Sequence, residues 1–169
     1  MKPMIKCFIV AALTADGFLA KDKNQVSTSW NSIDDKKHFV ELTKRSGVIV
    51  LGSTTFETFG SKPLKDRLNI VYSRSKNYEG AEMTDDEPDI LLKKLEERGF
   101  SEVAICGGSS IYTKFLKAGV VDTIYLTVEP ILFGKGITLF NDDVEYKLEL
   151  VSESHTPQGT IFKEYKVLK

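Results

Sequence analysis

The chain is poor in the residue types that carry several common chemistries. It has two cysteines, Cys7 and Cys106, and both fall in apolar runs that read as buried strands. Two buried thiols without paired spacing argue against a disulfide framework and suit a reducing compartment. There are only two histidines and no Cys-x-x-Cys pair, so no metal site is expected. His38 and His155 read as structural or solvent-facing. The net charge is −1 with Lys and Arg scattered, which points to neither a nucleic-acid nor a membrane partner. No apolar run approaches the length of a membrane span. Lys2 and Lys6 are followed by no sustained apolar region or small-residue cleavage site, so no signal peptide is expected and the cytoplasm is the default location. The G-x-G-x-x-G fingerprint is missing as well.

What is present is an alternation of strand and helix. At 169 residues the chain is long enough for one domain, 1–169, with a real core. Ile5 to Leu13 is a nearly continuous apolar run, as a central strand covered on both faces requires. Phe18 to Asn31 is polar without periodicity and reads as a long mobile loop. Ser32 to Arg45 is the first helix, with Gly47 just past its end. Buried strands follow at Val48 to Leu51 and Leu68 to Tyr72, with a short helix from Ser53 to Phe59 between them. After the solvated run Asp85-Asp86-Glu87, Asp89 to Arg98 is an amphipathic helix. Glu102 to Cys106 is a fourth core strand, and Ser109 to Ala118 is another helix. Thr123 to Val128 alternates into a strand. Tyr146 to Ser154 and Ile161 to Val167 flank the turn signature Thr156-Pro157-Gln158-Gly159, which suits an antiparallel hairpin. The expectation is a three-layer α/β fold, a mostly parallel central sheet closing in a C-terminal antiparallel hairpin.

Three strand ends carry small or hydroxyl residues: Gly52-Ser53-Thr54-Thr55, Tyr72-Ser73-Arg74-Ser75 and Gly107-Gly108-Ser109-Ser110-Ile111-Tyr112. Ligands of open α/β sheets bind at the carboxyl ends of strands. The first and third of these ends run straight into a helix, whose first-turn N–H groups favour phosphate. Together they point to a dinucleotide held in a non-Rossmann manner. The stretch from Ser29 to Phe39 adds a Trp at the end of a polar loop and Asp35 in the first turn of a helix. A carboxylate beside apolar walls can accept two adjacent N–H donors from a planar, nitrogen-rich ring. Ser32 with Asp35 three residues on is also close to a capping box, and a first-turn Asp suits the helix dipole, so both uses stay open.

The ordered series of motifs resembles the dihydrofolate reductase family, within the superfamily that includes the riboflavin-pathway reductases. It runs from about Val10 to Phe140. Its members are Val10 to Leu13, Trp30-Asn31 with Asp35 and Phe39, Val50 to Glu57, and Leu64 with Arg67 to Ile70. Tyr72-Ser73-Arg74, Gly107-Gly108 with Ile111-Tyr112 and Phe115-Leu116, and Tyr125-Leu126-Thr127 complete it. The resemblance implies NADPH-dependent reduction of 7,8-dihydrofolate to tetrahydrofolate, a step of one-carbon metabolism. Asp35 would grip the pterin amino-amidine edge and support protonation of the imine nitrogen. Thr127 would hydrogen-bond the same site, and Trp30 would fix the loop and water beside Asp35. Val10, Ala12, Phe39, Phe59 and Leu64 would wall the ring, and Arg67 would pair with a substrate carboxylate. Ala12, Gly52, Ser53, Thr54, Thr55, Tyr72, Ser73, Arg74 and Cys106 would line NADPH. Gly107, Gly108, Ser109, Ser110, Ile111 and Tyr112 would complete that lining, with the Gly107–Gly108 bond cis. The implied partner is the small-molecule substrate alone, on a monomer or homodimer.

The chain departs from the family pattern in places. Ser53 stands where many relatives have an Arg for the cofactor 2′-phosphate, and Arg74 is the candidate to supply that charge. Ser29 replaces the usual Pro, the loop before Trp30 is longer than typical, and Cys106 replaces a commoner aliphatic residue. Thr14 to Ala20 and Pro130 to Gly136 resemble the riboflavin branch as much as the folate branch. A reductase of a ribosylated pyrimidine is therefore the second reading. It needs an extra basic cluster near the pocket, which the sequence alone does not reveal. A non-catalytic NADP-binding domain is the third.

Overall fold

The long apolar run near the start of the chain becomes β1 (Lys6–Thr14), and it lies in the interior of the sheet, where a strand with two covered faces belongs. In the computed structural model, which describes residues 4–25 and 29–169, the following elements are β2 (Phe18–Ala20), α1 (Ile33–Ser46), β3 (Val48–Gly52), α2 (Ser53–Thr58) and β4 (Leu68–Tyr72). Then come β5 (Glu82–Thr84), α3 (Pro88–Glu97), β6 (Glu102–Ile105), α4 (Ser109–Lys117) and β7 (Thr123–Glu129). The last are β8 (Ile137–Thr138), β9 (Lys147–His155) and β10 (Ile161–Leu168). Eight strands form one sheet in the order β5-β4-β3-β6-β1-β7-β10-β9. The pairs from β5 through β7 are parallel, and β10 runs antiparallel to both β7 and β9. The expected mostly parallel sheet with a terminal hairpin is what forms.

Alternation along β1 divides the core. Cys7, Ile9 and Ala11 face one way and pack with Leu91, Leu92 and Leu95 of α3 and Phe115 of α4. Phe8 and Val10 face the other way, toward Leu42 of α1 and Phe56 of α2. Each fully buried Leu or Phe contributes about 2 kcal/mol relative to exposure. Helices on both faces make the three layers. Helix α1 is closed at both ends: the Ser32 hydroxyl accepts the Asp35 N–H at 3.0 Å, and Gly47 takes a left-handed φ of 75° while donating to the Thr43 carbonyl.

The structure corrects the reading of Phe18 to Asn31 as loop throughout. Phe18–Ala20 is strand β2, which pairs antiparallel with β8 in a separate two-stranded sheet. Residues 1–3, which include Lys2, and residues 26–28 of that loop lie outside the described residues. The sequence reading also missed β5 and β8, each too short to show a period. In β9 the register shifts so that Val151 is an extra residue between Leu150, opposite Tyr165, and Ser152, opposite Glu164. Among the described residues, no helix is long and apolar enough to cross a membrane.

The β2–β8 pair forms a flap, and Asp16 fastens it. One Asp16 oxygen accepts the Thr14 hydroxyl at 2.7 Å and the Phe133 N–H at 3.2 Å, and the other accepts the Gly134 N–H at 2.7 Å. The Thr14 hydroxyl first, and then the Gly134 and Phe133 amides, hold the carboxyl below its usual range. Because this value is lowered on folding, the clamp is complete above the ordinary Asp value of about 3.9 and is lost below it, as pH falls through the lowered folded value. Protection factors of the Phe133 and Gly134 amides are expected to stay level at neutral pH and drop in that acid window. An Asp16→Ala variant should show low protection at every pH, and a wild-type-like acid transition in it would remove the clamp from the explanation. Gly136 offers an independent handle, since a Cβ there would stand 2.2 Å from the Ala20 carbonyl oxygen. Gly136→Ala should therefore unpair the flap and speed exchange at Phe18 to Ala20 about tenfold, with the main sheet unchanged. Unaltered exchange would show that the flap tolerates the methyl group.

Candidate active site

The carboxyl ends of β1, β3, β4 and β6 open into one cleft of about 1100 Å³, more than a single drug-sized ligand needs. One half is apolar with a carboxylate at its base. Val10 and Ala12 come from β1, Phe39 and Val40 from α1, and Phe59 and Leu64 from the segment after β3. Asp35 sits among them and is only 6% exposed. The Asn31 side-chain amide donates to Asp35 Oδ2 at 2.6 Å, and the Asp35 backbone N–H is held by Ser32. Ser32 caps the helix through the Asp35 N–H, and the same turn presents the Asp35 side chain to the cleft. Arg67 lines the outer part of this half, where its Nη1 donates to Thr43 Oγ1 at 2.8 Å and its Nε to the Lys65 carbonyl at 2.8 Å.

The other half is built from backbone. Gly52, Ser53, Thr54 and Thr55 at the β3–α2 junction face Cys106 to Ser110 at the β6–α4 junction. The Gly52 N–H donates to the Gly107 carbonyl at 2.9 Å, drawing the two junctions together. A Cβ on Gly52 would meet Ile111 at 3.2 Å, and one on Gly108 would meet Thr55 Oγ1 at 3.1 Å. Gly107 has a φ of 120°, which favours glycine, and the Gly107–Gly108 bond is cis, as the resemblance implies. Ser109 Oγ is buried and makes no hydrogen bond among the described residues. The Tyr112 hydroxyl donates to the Val10 carbonyl at 2.7 Å and ties α4 to β1. Burial raises the pKa of that phenol and pushes the Cys106 thiol far above its usual range, so both stay neutral. Ile111 and Tyr72 also line this half.

Every expected wall residue therefore meets in one cleft, with four exceptions. Trp30 is not in the lining; its ring packs edge-on against Phe133 at 5.3 Å, and its indole N–H is buried without a partner among the described residues. Thr127 is only 2% exposed and lies beneath the cleft, paired with Ala12 in the sheet register. Ser73 spends its hydroxyl on Lys76, and Arg74 is exposed outside the lining.

Sequence reasoning missed the flap contribution, in which Leu19, Ala20, Gly136, Ile137 and Thr138 roof the cleft. It also missed Lys23 and Lys36, which line the cleft together with Arg67. Glu129, at the end of β7, escaped notice as well. It is only 2% exposed and accepts both the backbone N–H and the hydroxyl of Ser32, the latter at 3.2 Å. An isolated Glu before a Pro reads as solvated surface, so no local signal marked it. The Lys residues were visible, but only the fold brings each of them to the cleft lining. Among the described residues, no group of His, Cys, Asp and Glu is placed to hold a metal.

Comparison with known proteins agrees with this geometry. The family model described as Dihydrofolate reductase matches residues 6–165. The uncharacterized protein YyaP of Bacillus subtilis is 25% identical over 148 residues, 78% of each chain. A putative riboflavin biosynthesis protein from Shewanella sp. PV-4 superposes with a TM-score of 0.83 at 20% identity, over 98% of this chain and 100% of that one. Dihydrofolate reductase from Enterococcus faecalis, complexed with NADP(H) and RAB-propyl, superposes with a TM-score of 0.78 at 21% identity over 100% of both chains. The two structural likenesses bear on the fold, and the family match spans nearly the whole sequence. The chain belongs to the dihydrofolate reductase family.

Proposed function

We propose that residues 1–169 act as one NADPH-dependent reductase domain that converts 7,8-dihydrofolate to tetrahydrofolate. The observation that carries this reading is the buried Asp35 carboxylate at the base of an apolar half-cleft, across from a glycine-built half. The second half fits a dinucleotide. Its glycines let the two junctions approach where a Cβ would crowd Ile111 or Thr55, Ser109 Oγ is buried without a partner among the described residues, and α4 begins there with its first-turn N–H groups. Gly52 to Thr55 and Gly107 to Tyr112 would hold NADPH, which supplies the hydride when bound.

The chain's own residues supply position and charge. Asp35 accepts the paired N–H donors of the pterin amino-amidine edge and favours a proton on the nitrogen beside the hydride acceptor. Asn31 holds one carboxylate oxygen in place. Val10, Ala12, Phe39, Phe59 and Leu64 clasp the ring, and the flap excludes water from above. Arg67 pairs with the substrate's anionic tail. Thr127 supports the floor, Trp30 anchors the loop against Phe133, and Tyr72, Ser73 and Arg74 lie toward the far end of the cofactor. The free, buried thiols of Cys7 and Cys106 suit work in the cytoplasm.

A second reading, reduction of a ribosylated pyrimidine, draws on one observation. Lys23 and Lys36 join Arg67 along the cleft, a basic set able to take a phosphate. The two readings separate by assay. NADPH oxidation followed by absorbance should depend on added dihydrofolate and stop with an antifolate. NADPH binding without dihydrofolate-dependent oxidation would move the assignment to the pyrimidine substrate or to a non-catalytic NADP-binding domain. Under the first reading, Asp35→Asn should lower turnover at neutral pH by about 100-fold or more while NADPH affinity stays within about twofold. Near-normal turnover in that variant would leave Asp35 with capping alone.

A further inference from the structure

We propose that Glu129 is a positioning residue that sets Asp35 in the cleft through Ser32. The inference rests on the reading of Asp35 as the group that faces the substrate ring. A serine N-cap ordinarily needs nothing beyond its own helix: its oxygen accepts an N–H, and its proton goes to water. Ser32 is held on every side. Its hydroxyl accepts the Asp35 N–H at 3.0 Å and donates to Glu129 Oε1 at 3.2 Å, and its backbone N–H goes to Glu129 Oε2. The one hydroxyl proton is committed to Glu129, so the lone pairs of Ser32 are turned toward Asp35. The chain of contacts then continues through the Asp35 carboxylate to the Asn31 amide at 2.6 Å.

Three features distinguish this from an incidental contact. The carboxylate of Glu129 is almost fully buried, which surface capping does not require. Its residue sits opposite Thr14 in the β1–β7 register, at the point where both flap-forming loops leave the sheet. Its carbonyl also accepts the Ile131 N–H at 2.8 Å, and the Ile131 carbonyl accepts the Ala15 N–H at 2.9 Å. One side chain thus references the first turn of α1 to the strand ends that floor the cleft. The positive end of the helix gives the buried anion a favourable neighbour. Glu129 does not line the cleft, and its action on the ligand passes through Ser32 and Asp35.

The test uses two binding probes on the whole protein, a 5-benzyl-2,4-diaminopyrimidine for the Asp35 half and NADPH for the glycine half. Calorimetry with Glu129→Gln should show diaminopyrimidine affinity lowered about tenfold, the scale of one misplaced hydrogen bond, with NADPH affinity changed less than about twofold. Ser32→Ala should reproduce that loss, and the double variant should lose no more than either single one, because both act on a single chain of contacts. Ser32→Ala keeps the Glu129 bond to the backbone N–H, and it carries the test if the Glu129 variant fails to fold. Unchanged diaminopyrimidine binding, additive losses, or equal weakening of both probes would overturn the role. A wild-type protein that does not bind the diaminopyrimidine would overturn the underlying reading of Asp35, and this inference with it. That outcome is distinct, because it appears before any variant is made.

Discussion

Everything functional in this fold depends on β1 being held parallel between β6 and β7. In a parallel array every strand leaves the sheet at the same edge, so residues far apart in the chain arrive at one place. The register pairs Ile9 with Ile105 and Ala12 with Thr127. It therefore brings the Gly107–Gly108 junction, the start of the flap and Glu129 to a single rim. A shift of one residue would turn Val10 and Ala12 away from the cleft and put Ile9 and Ala11, or Ala11 and Leu13, in their place.

At that rim the polypeptide divides its labour between side chains and backbone. On one side a carboxylate is set among hydrocarbon, where an acceptor left without a donor is costly. On the opposite side, glycines remove side chains so that the backbone itself makes the surface. The flap joins the two halves from above. Its attachment uses an exposed carboxylate and a two-strand pairing, both of which can open without disturbing the large sheet.

Much of this was legible in the sequence, for reasons that differ by element. The strand at Leu68–Tyr72 was found to the residue because a short apolar run bounded by polar segments has one reading. Helix α1 was placed within a residue of each end because Ser32 and Gly47 mark its limits chemically. Strands β2, β5 and β8 were not legible, since two or three residues carry no period and their pairing is decided by distant segments. The glycine half of the cleft could be assembled from its motifs, because Gly-Gly and hydroxyl runs at strand ends are local signals. The contact of Glu129 with Ser32 spans 97 positions, and no pattern on either side announces it. Trp30 was legible as the end of a polar loop, but its partner Phe133 belongs to a second loop that only folding brings near.

The interior place of β1 also has a consequence for how the molecule is made. Strand β1 cannot be satisfied by anything nearby in the chain. Both of its neighbours, β6 and β7, are encoded in the second half of the 169 residues. Until they emerge, an apolar ribbon with two unpaired edges waits in a growing chain, and its closure carries the entropy of a very long loop. Closure of the sheet around β1 therefore waits for β6 and β7. During synthesis the hazard is concentrated in Lys6–Thr14, a segment that is mostly buried in the finished fold.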